Sequence, residues 1–526
     1  MTMLLRNEQN NLNNNNSYTD NINNRADLVQ RLTYDVLDII FSHLSFRERI
    51  RSTRVSKGWR CFLLTWPDLW NTIADHHVNL DTNLLPYLPY FRGQYVRTVR
   101  MPEFSQQSTR FLINQSCRYI ETLEVPCRPA TFVSVHDLLL FTCDTLTYLT
   151  LHSGVGDALL DTVLDHCPNL ISFQYLLSGG FYNLSTPHNE QTIHHNKEYQ
   201  RRIKLRRLVL DIPLEEQRVL SVLSRCPNLS QLQLRSSGLQ FDYFDAILRF
   251  IHHYLLRIEY LRLFGASAQQ PSSSFSSSLP RSSSSFPSLL PSSSQPQQPC
   301  LRELWLIGTD EESTAHILPL MHRHQAALTS LHIRSPLTPN VMHHLGSFSY
   351  PAMTELYIQL THFSPLASDL CNLIHHAPNL TDVSLTSFTA TDTFSDLVLD
   401  ALPSSIQRFK LQLGYNLIHD IVTSEALGRF LKRSTHIQEF HLPNIQAMDD
   451  DILDLLSSQH ISTLETLDVS SNEHITDVGL RRFVDNYHQQ QHIRQVKWLN
   501  LGQCSLVTSN SIAYVKEKLS TTKIYT

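Results

Sequence analysis

The chain has 526 residues, enough for several ordinary domains or for one extended array of repeats. Hydrophobic residues make up 41% and charged residues 17%, as expected of a folded chain with a large buried surface. A net charge of -5 gives no electrostatic pull toward nucleic acid or an anionic membrane, so neither is expected as a partner.

The first stretch, MTMLLRNEQN and the Asn-rich tract after it, lacks the apolar centre of a secretory signal. No run reaches the roughly 18 apolar residues that a membrane span needs. A cytoplasmic or nuclear location is therefore expected. The 9 cysteines fit that compartment: no two form a CxxC pair, the spacing that presets half of a zinc tetrahedron. Buried, reduced thiols are expected, with no metal.

In chain order, residues 1–27 have no apolar period and are expected to be disordered. Residues 28–73 are compact and helical in pattern. Val36, Ile40 and Leu44 fall at i, i+4 and i+8 with Leu37 and Phe41 beside them, which predicts one apolar helical face. Arg47 to Ser52 predicts a short second helix. A third would carry Val55, Trp59, Phe62 and Leu63 on one side, ending at Trp66-Pro67. Residues 74–93 read as a connector. The basic cluster Arg47, Arg49, Arg51, Arg54, Lys57 and Arg60 reads as a solvated helical face rather than a nucleic-acid patch.

From residue 94 to 526 one pattern recurs: an apolar residue, two variable ones, an apolar residue, one variable and another apolar. It is clear at Leu146-Leu149-Leu151, Leu229-Leu232-Leu234, Leu301-Leu304-Leu306, Leu380-Val383-Leu385 and Leu464-Leu467-Val469. A weaker first copy is Val96-Val99-Met101. About fifteen copies stand mostly about 24 to 32 residues apart. Two insertions stretch the spacing, at about residues 177–203 and at a Ser/Pro/Gln-rich tract at about 269–298. The second reads as a passive disordered loop or as a regulated one, where phosphate on Ser282 to Ser285 would sit beside Arg281. The last three residues of each copy alternate in, out, in, as a short strand requires, and the following segment has helical spacing. One unit cannot bury its apolar face alone, whereas stacked units share a core.

This array resembles the leucine-rich repeats, over roughly four fifths of the chain. Cys167-Pro168-Asn169-Leu170, Cys226-Pro227-Asn228-Leu229 and Ile475-Thr476-Asp477-Val478-Gly479-Leu480 resemble the cysteine-containing subclass. The resemblance implies an α/β fold: a right-handed solenoid shaped as a horseshoe, with a parallel sheet on the concave face and helices on the convex face. The sequons at Asn228 and Asn379 sit where buried strands begin and read as accidental.

Residues 28–73 closely resemble the F-box, a three-helix module. The matching positions are Leu32, Ile40-Phe41, Val55-Ser56-Lys57-Gly58-Trp59 and Leu69-Trp70. Where the family carries proline after the first leucine, this chain has Thr33. The resemblance implies that Leu32, Ile40, Phe41, Val55 and Trp59 bind a Skp-type adaptor, and through it cullin and RING subunits. The chain would then be the non-catalytic substrate receptor of an SCF-type ubiquitin ligase. Two other readings are a helical cap over the first repeat, and a repeat scaffold or inhibitor that binds a partner protein without a ligase.

A substrate would meet the outward residues of the strands. The residue between the last two apolar positions gives the row Arg262, Trp305, His332, Tyr357, Ser384, Lys410, His441, Asp468 and Asn500. Tyr260, Arg408 and Trp498 stand at the neighbouring outward position. Trp305, His332 and Tyr357 form an aromatic strip bordered by Arg262, Arg408 and Lys410, the residue types that anchor protein interfaces. The strip reads either as a site for a substrate degron, with phosphate or without, or as a surface covered by a loop. No phosphate loop, GxSxG elbow or HExxH helix occurs, so neither catalysis nor a cofactor is expected.

Overall fold

The computed structural model describes the chain from residue 28 onward, except 75–92, 154–156, 158, 178–202, 212–213, 236–242, 266–298, 309–315, 336, 361–366, 388–393, 413–421, 461 and 490–495. The expectations for the Asn-rich start, most of the connector and both insertions fall outside the described residues. The chain divides into two compact units, Met1–Pro126 with Ala130–Thr145, and Cys127–Pro129 with Leu146–Thr526.

The first unit opens with helices α1 (Leu28–Arg31), α2 (Tyr34–Ser42), α3 (Phe46–Ser52) and α4 (Lys57–Thr65), then a 3-10 turn, Pro67–Trp70. Local chemistry explains each start. Ser45 and Glu48 form a reciprocal capping box at α3, with Ser45 N donating to Glu48 Oε2 at 2.8 Å. Ser56 caps α4 by accepting from Trp59 N at 3.0 Å, which gives the Val-Ser-x-x-Trp motif a structural reason. Thr33 precedes α2 with φ -69° and ψ 156°, a conformation that proline also adopts.

Leu37, Phe41, Phe46, Ile50, Leu63, Trp66, Leu69 and Trp70 are buried and form the module's core. Trp70 Nε1 donates to Leu63 O at 2.8 Å, so the indole is satisfied inside it. Two expectations are corrected. Val55 lies in the turn before α4 rather than on the third helix. Arg49 does not sit on a solvated face: Nε donates to Leu44 O at 2.8 Å, one terminal nitrogen to Ser42 O at 3.2 Å, and the other to Leu69 O. It satisfies carbonyls at the end of α2 and ties them to the 3-10 turn. Burial pulls its pKa below the usual arginine range.

Within the same unit the strand after the 3-10 turn, β1 (Thr72–Ala74), pairs in parallel with β2 (Thr98–Arg100), which pairs with β3 (Thr122–Cys127). The sheet thus begins at Thr72, one strand before the first repeat visible in the sequence. Helices α5 (Gln106–Asn114) and α6 (Phe132–Thr142) pack together beside these strands.

The second unit is a run of parallel strands with a helix in most of the connections. The strands are β4 (Tyr148–Ser153), β5 (Ser172–Leu177), β6 (Arg207–Asp211), β7 (Gln231–Arg235), β8 (Tyr260–Phe264), β9 (Glu303–Ile307) and β10 (Ser330–Arg334). They continue as β11 (Glu355–Leu360), β12 (Asp382–Ser387), β13 (Arg408–Gln412), β14 (Glu439–His441), β15 (Thr466–Asp468), β16 (Trp498–Asn500) and β17 (Lys523–Tyr525). Each pairs in parallel with the next, and β8 pairs with β9 across the Ser-rich insertion. The inward residues of each copy are almost fully buried, for example Leu301, Leu304 and Leu306, all at 0% exposure. This is the leucine-rich-repeat solenoid that the period predicts.

Two devices lock one repeat to the next. Cys167, Cys226 and Ala377 are buried, and each accepts at its carbonyl from the leucine three residues on at 3.3 Å. Tyr350-Pro351-Ala352-Met353 makes the same turn, a copy that the sequence disguises because tyrosine replaces cysteine. The second device joins helix starts: Asp450 accepts from Thr476 N at 2.8 Å and from its hydroxyl at 2.6 Å. Asp396 with Thr423 and Asp477 with Thr508 repeat it. Each aspartate therefore satisfies an otherwise orphaned donor in the next repeat. Asn472, 1% exposed, bridges turns by donating to Leu442 O and Val469 O and accepting from Ile445 N.

Candidate functional site

Two surfaces hold the residues singled out by sequence, one in each unit. In the helical module, α2 is apolar around most of its circumference. Its buried side is Leu37 and Phe41, not the Val36–Ile40–Leu44 stripe that the spacing suggests. Phe41 is 0% exposed, with its ring 5.0 Å from Trp59 and 5.4 Å from Phe62. It supports the surface from inside. Leu32, Ile40 and Trp59 are half-buried, and Val55 is 63% exposed.

The remaining face of α2 carries residues that sequence reasoning left out of the adaptor set. Ile39 is 60% exposed, Tyr34 58% and Val36 41%. Val36, Ile39 and Ile40 stand at i, i+3 and i+4, hence on one face. Scattered exposed apolar residues are ordinary, but a helix face made of them is unusual on a soluble protein. The signal was present in the sequence: more apolar positions in α2 than one buried stripe uses.

In the second unit, the strand register sets the predicted row side by side. Arg262 pairs with Trp305, Trp305 with His332, His332 with Tyr357, Tyr357 with Ser384 and Ser384 with Lys410. The row continues through His441, Asp468 and Asn500 to Tyr525. The side chains form one continuous stack. The Arg262 guanidinium lies 4.2 Å from the Trp305 ring centre, Trp305 stacks on His332 at 4.2 Å, and His332 on Tyr357 at 4.0 Å.

Both arginines beside the stack are paired. Arg262 Nε donates to Glu303 Oε1 at 2.7 Å, and Arg408 donates to Asp382 Oδ2 at 2.6 Å, a carboxylate only 4% exposed. Lys410 has no ion-pair partner among the described residues. Burial, with Arg262 and Arg334 nearby, pushes the His332 pKa down to about 4, so the imidazole is neutral at pH 7. Its Nε2 lies 3.7 Å from Glu355, too long for a hydrogen bond, and Trp305 Nε1 is also unpartnered. Burial and the Asp382 and Glu355 carboxylates raise the Tyr357 pKa, so its hydroxyl stays protonated.

The adjacent histidines have separate partners: His343 meets Asp369 at 3.1 Å, His375 meets Cys371 O at 2.7 Å and His376 meets Gly346 O at 2.8 Å. Among the described residues no group of three or more His, Cys, Asp or Glu is placed to hold a metal. Nor is any described helix long and apolar enough to cross a membrane.

The sequence matches the F-box domain family over residues 29–69. No curated protein matches the chain. Similar solved structures include the Rad7 and Elc1 complex in yeast, at 12% identity and a TM-score of 0.38, covering 73% of this chain and 85% of that one. The leucine-rich-repeat protein LegL7 from Legionella pneumophila has 19% identity and a TM-score of 0.27, covering 43% and 74%. The TLR13–ssRNA13 complex has 12% identity and a TM-score of 0.31, covering 82% and 52%. At these scores the three carry no argument about what this chain binds. The helical module does carry one: residues 29–69 are an F-box domain, and leucine-rich repeats follow it.

Proposed function

We propose that this chain is the substrate receptor of an SCF-type cullin–RING ubiquitin ligase. The F-box domain binds a Skp-type adaptor, which brings cullin and RING subunits. The repeats bind a protein to be ubiquitinated. The chain supplies proximity and orientation, and bond-making belongs to the other subunits.

The observation that carries this reading is the uncovered apolar face of α2 within an F-box domain. Tyr34, Val36 and Ile39, with Leu32, Ile40, Val55 and Trp59, offer area that a partner helix would bury. Burying a side chain the size of Ile39 contributes about 1.5–3 kcal/mol, so a few such residues suffice for a stable complex. On the repeats, the stacked Arg262–Trp305–His332–Tyr357 row is the proposed substrate anchor, with Arg408 and Lys410 at its far end. Aromatic and arginine side chains held rigid before binding lose little entropy on contact.

Capture of a purified Skp-type adaptor tests the proposal. The intact chain is expected to retain it. A chain carrying Ile39→Ser and Val55→Ser, with an unchanged thermal midpoint, is expected to release it. If both chains behave alike, whether by capturing or by failing to, the helical face is not an adaptor site. A folded chain that captures no adaptor is instead a repeat scaffold.

A further inference from the structure

Beside the aromatic row, at its Arg262 end, the open face of the sheet holds a cavity of about 230 Å³. Its floor is Val209, an outward-pointing strand residue that is nonetheless only 4% exposed. Around the floor stand Arg207 on β6, Gln231 and Gln233 on β7, and Tyr260 on β8. None of these four side chains has a hydrogen-bond partner among the described residues. A guanidinium, two amides and a phenol hydroxyl thus surround one small space, each with a donor to offer. Every other strong cation near the cavity is already used: Arg262 is paired with Glu303, and Arg235 with Asp211 at 3.1 Å.

We infer that this cavity binds an acidic side chain of the protein that the repeats recognise, with Arg207 as its counter-ion. The inference rests on the proposed receptor role and adds the chemistry of the substrate. Guanidinium and carboxylate match in shape as well as charge, and the amide and hydroxyl donors complete the carboxylate's lone pairs. The charge of the lining selects among anions. Arg207 and Arg262 against Glu303 leave a balance of +1, which one carboxylate neutralises and a phosphate dianion exceeds.

The geometry also sets a spacing. The cavity is centred on β7, and the aromatic row on β10, three strand intervals or about 14 Å away. An extended peptide crosses that distance in about four residues. The substrate motif is therefore an Asp or Glu with an apolar or aromatic residue about four positions away, the second resting on the Trp305–His332–Tyr357 edge.

A random dodecapeptide display library, panned on the full chain and on Arg207→Glu and Trp305→Ala variants of equal thermal midpoint, tests this. The expected result is enrichment of an acidic residue about four positions from an apolar one. Those peptides should lose about tenfold or more in affinity for Arg207→Glu. Replacing their acid by Gln should weaken binding to the intact chain alike. Enriched peptides with no acid, bound through Trp305 but indifferent to Arg207, would overturn the cavity while leaving the receptor role intact. Peptides that bind only after the acid is replaced by phosphoserine would overturn the monoanion assignment. No enrichment, or binding unmoved by either variant, would remove the open face as a peptide site; adaptor capture would still judge the ligase role separately.

Discussion

The helical module and the strand face of the repeats both hold apolar rings and branched side chains at their surfaces, in opposite ways. On α2, Val36 and Ile39 project from the surface, and Phe41 on the inner side of the helix is wholly buried. On the strands, Trp305, His332 and Tyr357 spend their ring faces on one another and on Arg262. The polar tips of two of them, Trp305 Nε1 and His332 Nε2, are themselves buried. The comparison separates a surface that gains simply by being covered from one that gains only with a partner of matching shape and charge. The first suits a constant partner and the second a specific one.

The contrast can be broken first at Phe41. Phe41→Ala removes the ring between Trp59 and Phe62 and is expected to cost about 3–5 kcal/mol. It should melt the helical module while Ile39→Ala, on the exposed side, changes stability by less than about 0.5 kcal/mol. Urea unfolding followed by tryptophan fluorescence checks both. Equal effects would mean that the two faces of α2 are not distinct. Next, Arg49→Ala leaves the carbonyls of Ser42, Leu44 and Leu69 without their donor, at an expected cost of about 2–4 kcal/mol. Arg51→Ala, on the same helix but exposed, is expected to change stability by less than about 0.5 kcal/mol.

The strand row is sharpened by pH. His332 has a folded pKa of about 4, below its ordinary 6.5. Between those values the unfolded chain binds the extra proton, so its stabilising contribution is present above pH 6.5 and lost as pH falls toward 4. A loss on the order of 1–3 kcal/mol is expected across that window. Denaturation midpoints of the intact chain should therefore fall more steeply with acid than those of His332→Phe. Parallel curves would place the imidazole in water. The smallest effect is expected at Thr33, whose φ of -69° suits proline. Thr33→Pro should raise stability by about 0.4–1 kcal/mol, chiefly by restricting the unfolded chain, and a thermal melt would show it.

The row from Arg262 to Asn500 was readable strand by strand because a period of two leaves no freedom: shifting any strand by one residue would turn its leucines to solvent. The F-box was readable because its motif residues have fixed local tasks, such as Ser56 capping the helix that carries Trp59. Other features depend on contacts that no local pattern encodes. Which part of the broad apolar arc of α2 is covered depends on where α4 lies. Arg49 looked like its charged neighbours until carbonyls far along the chain turned out to be its partners. The cavity at Arg207 has no signal in any one segment, because its lining comes from four successive strands, β6 to β9.

Amide hydrogen exchange of the full chain, with and without a purified Skp-type adaptor, tests the division of labour most directly. The account predicts added protection in residues 32–41 and 53–60, and none in strands 303–307, 330–334 or 355–360. Protection of those strands by the adaptor, or none in the helical module, would contradict it.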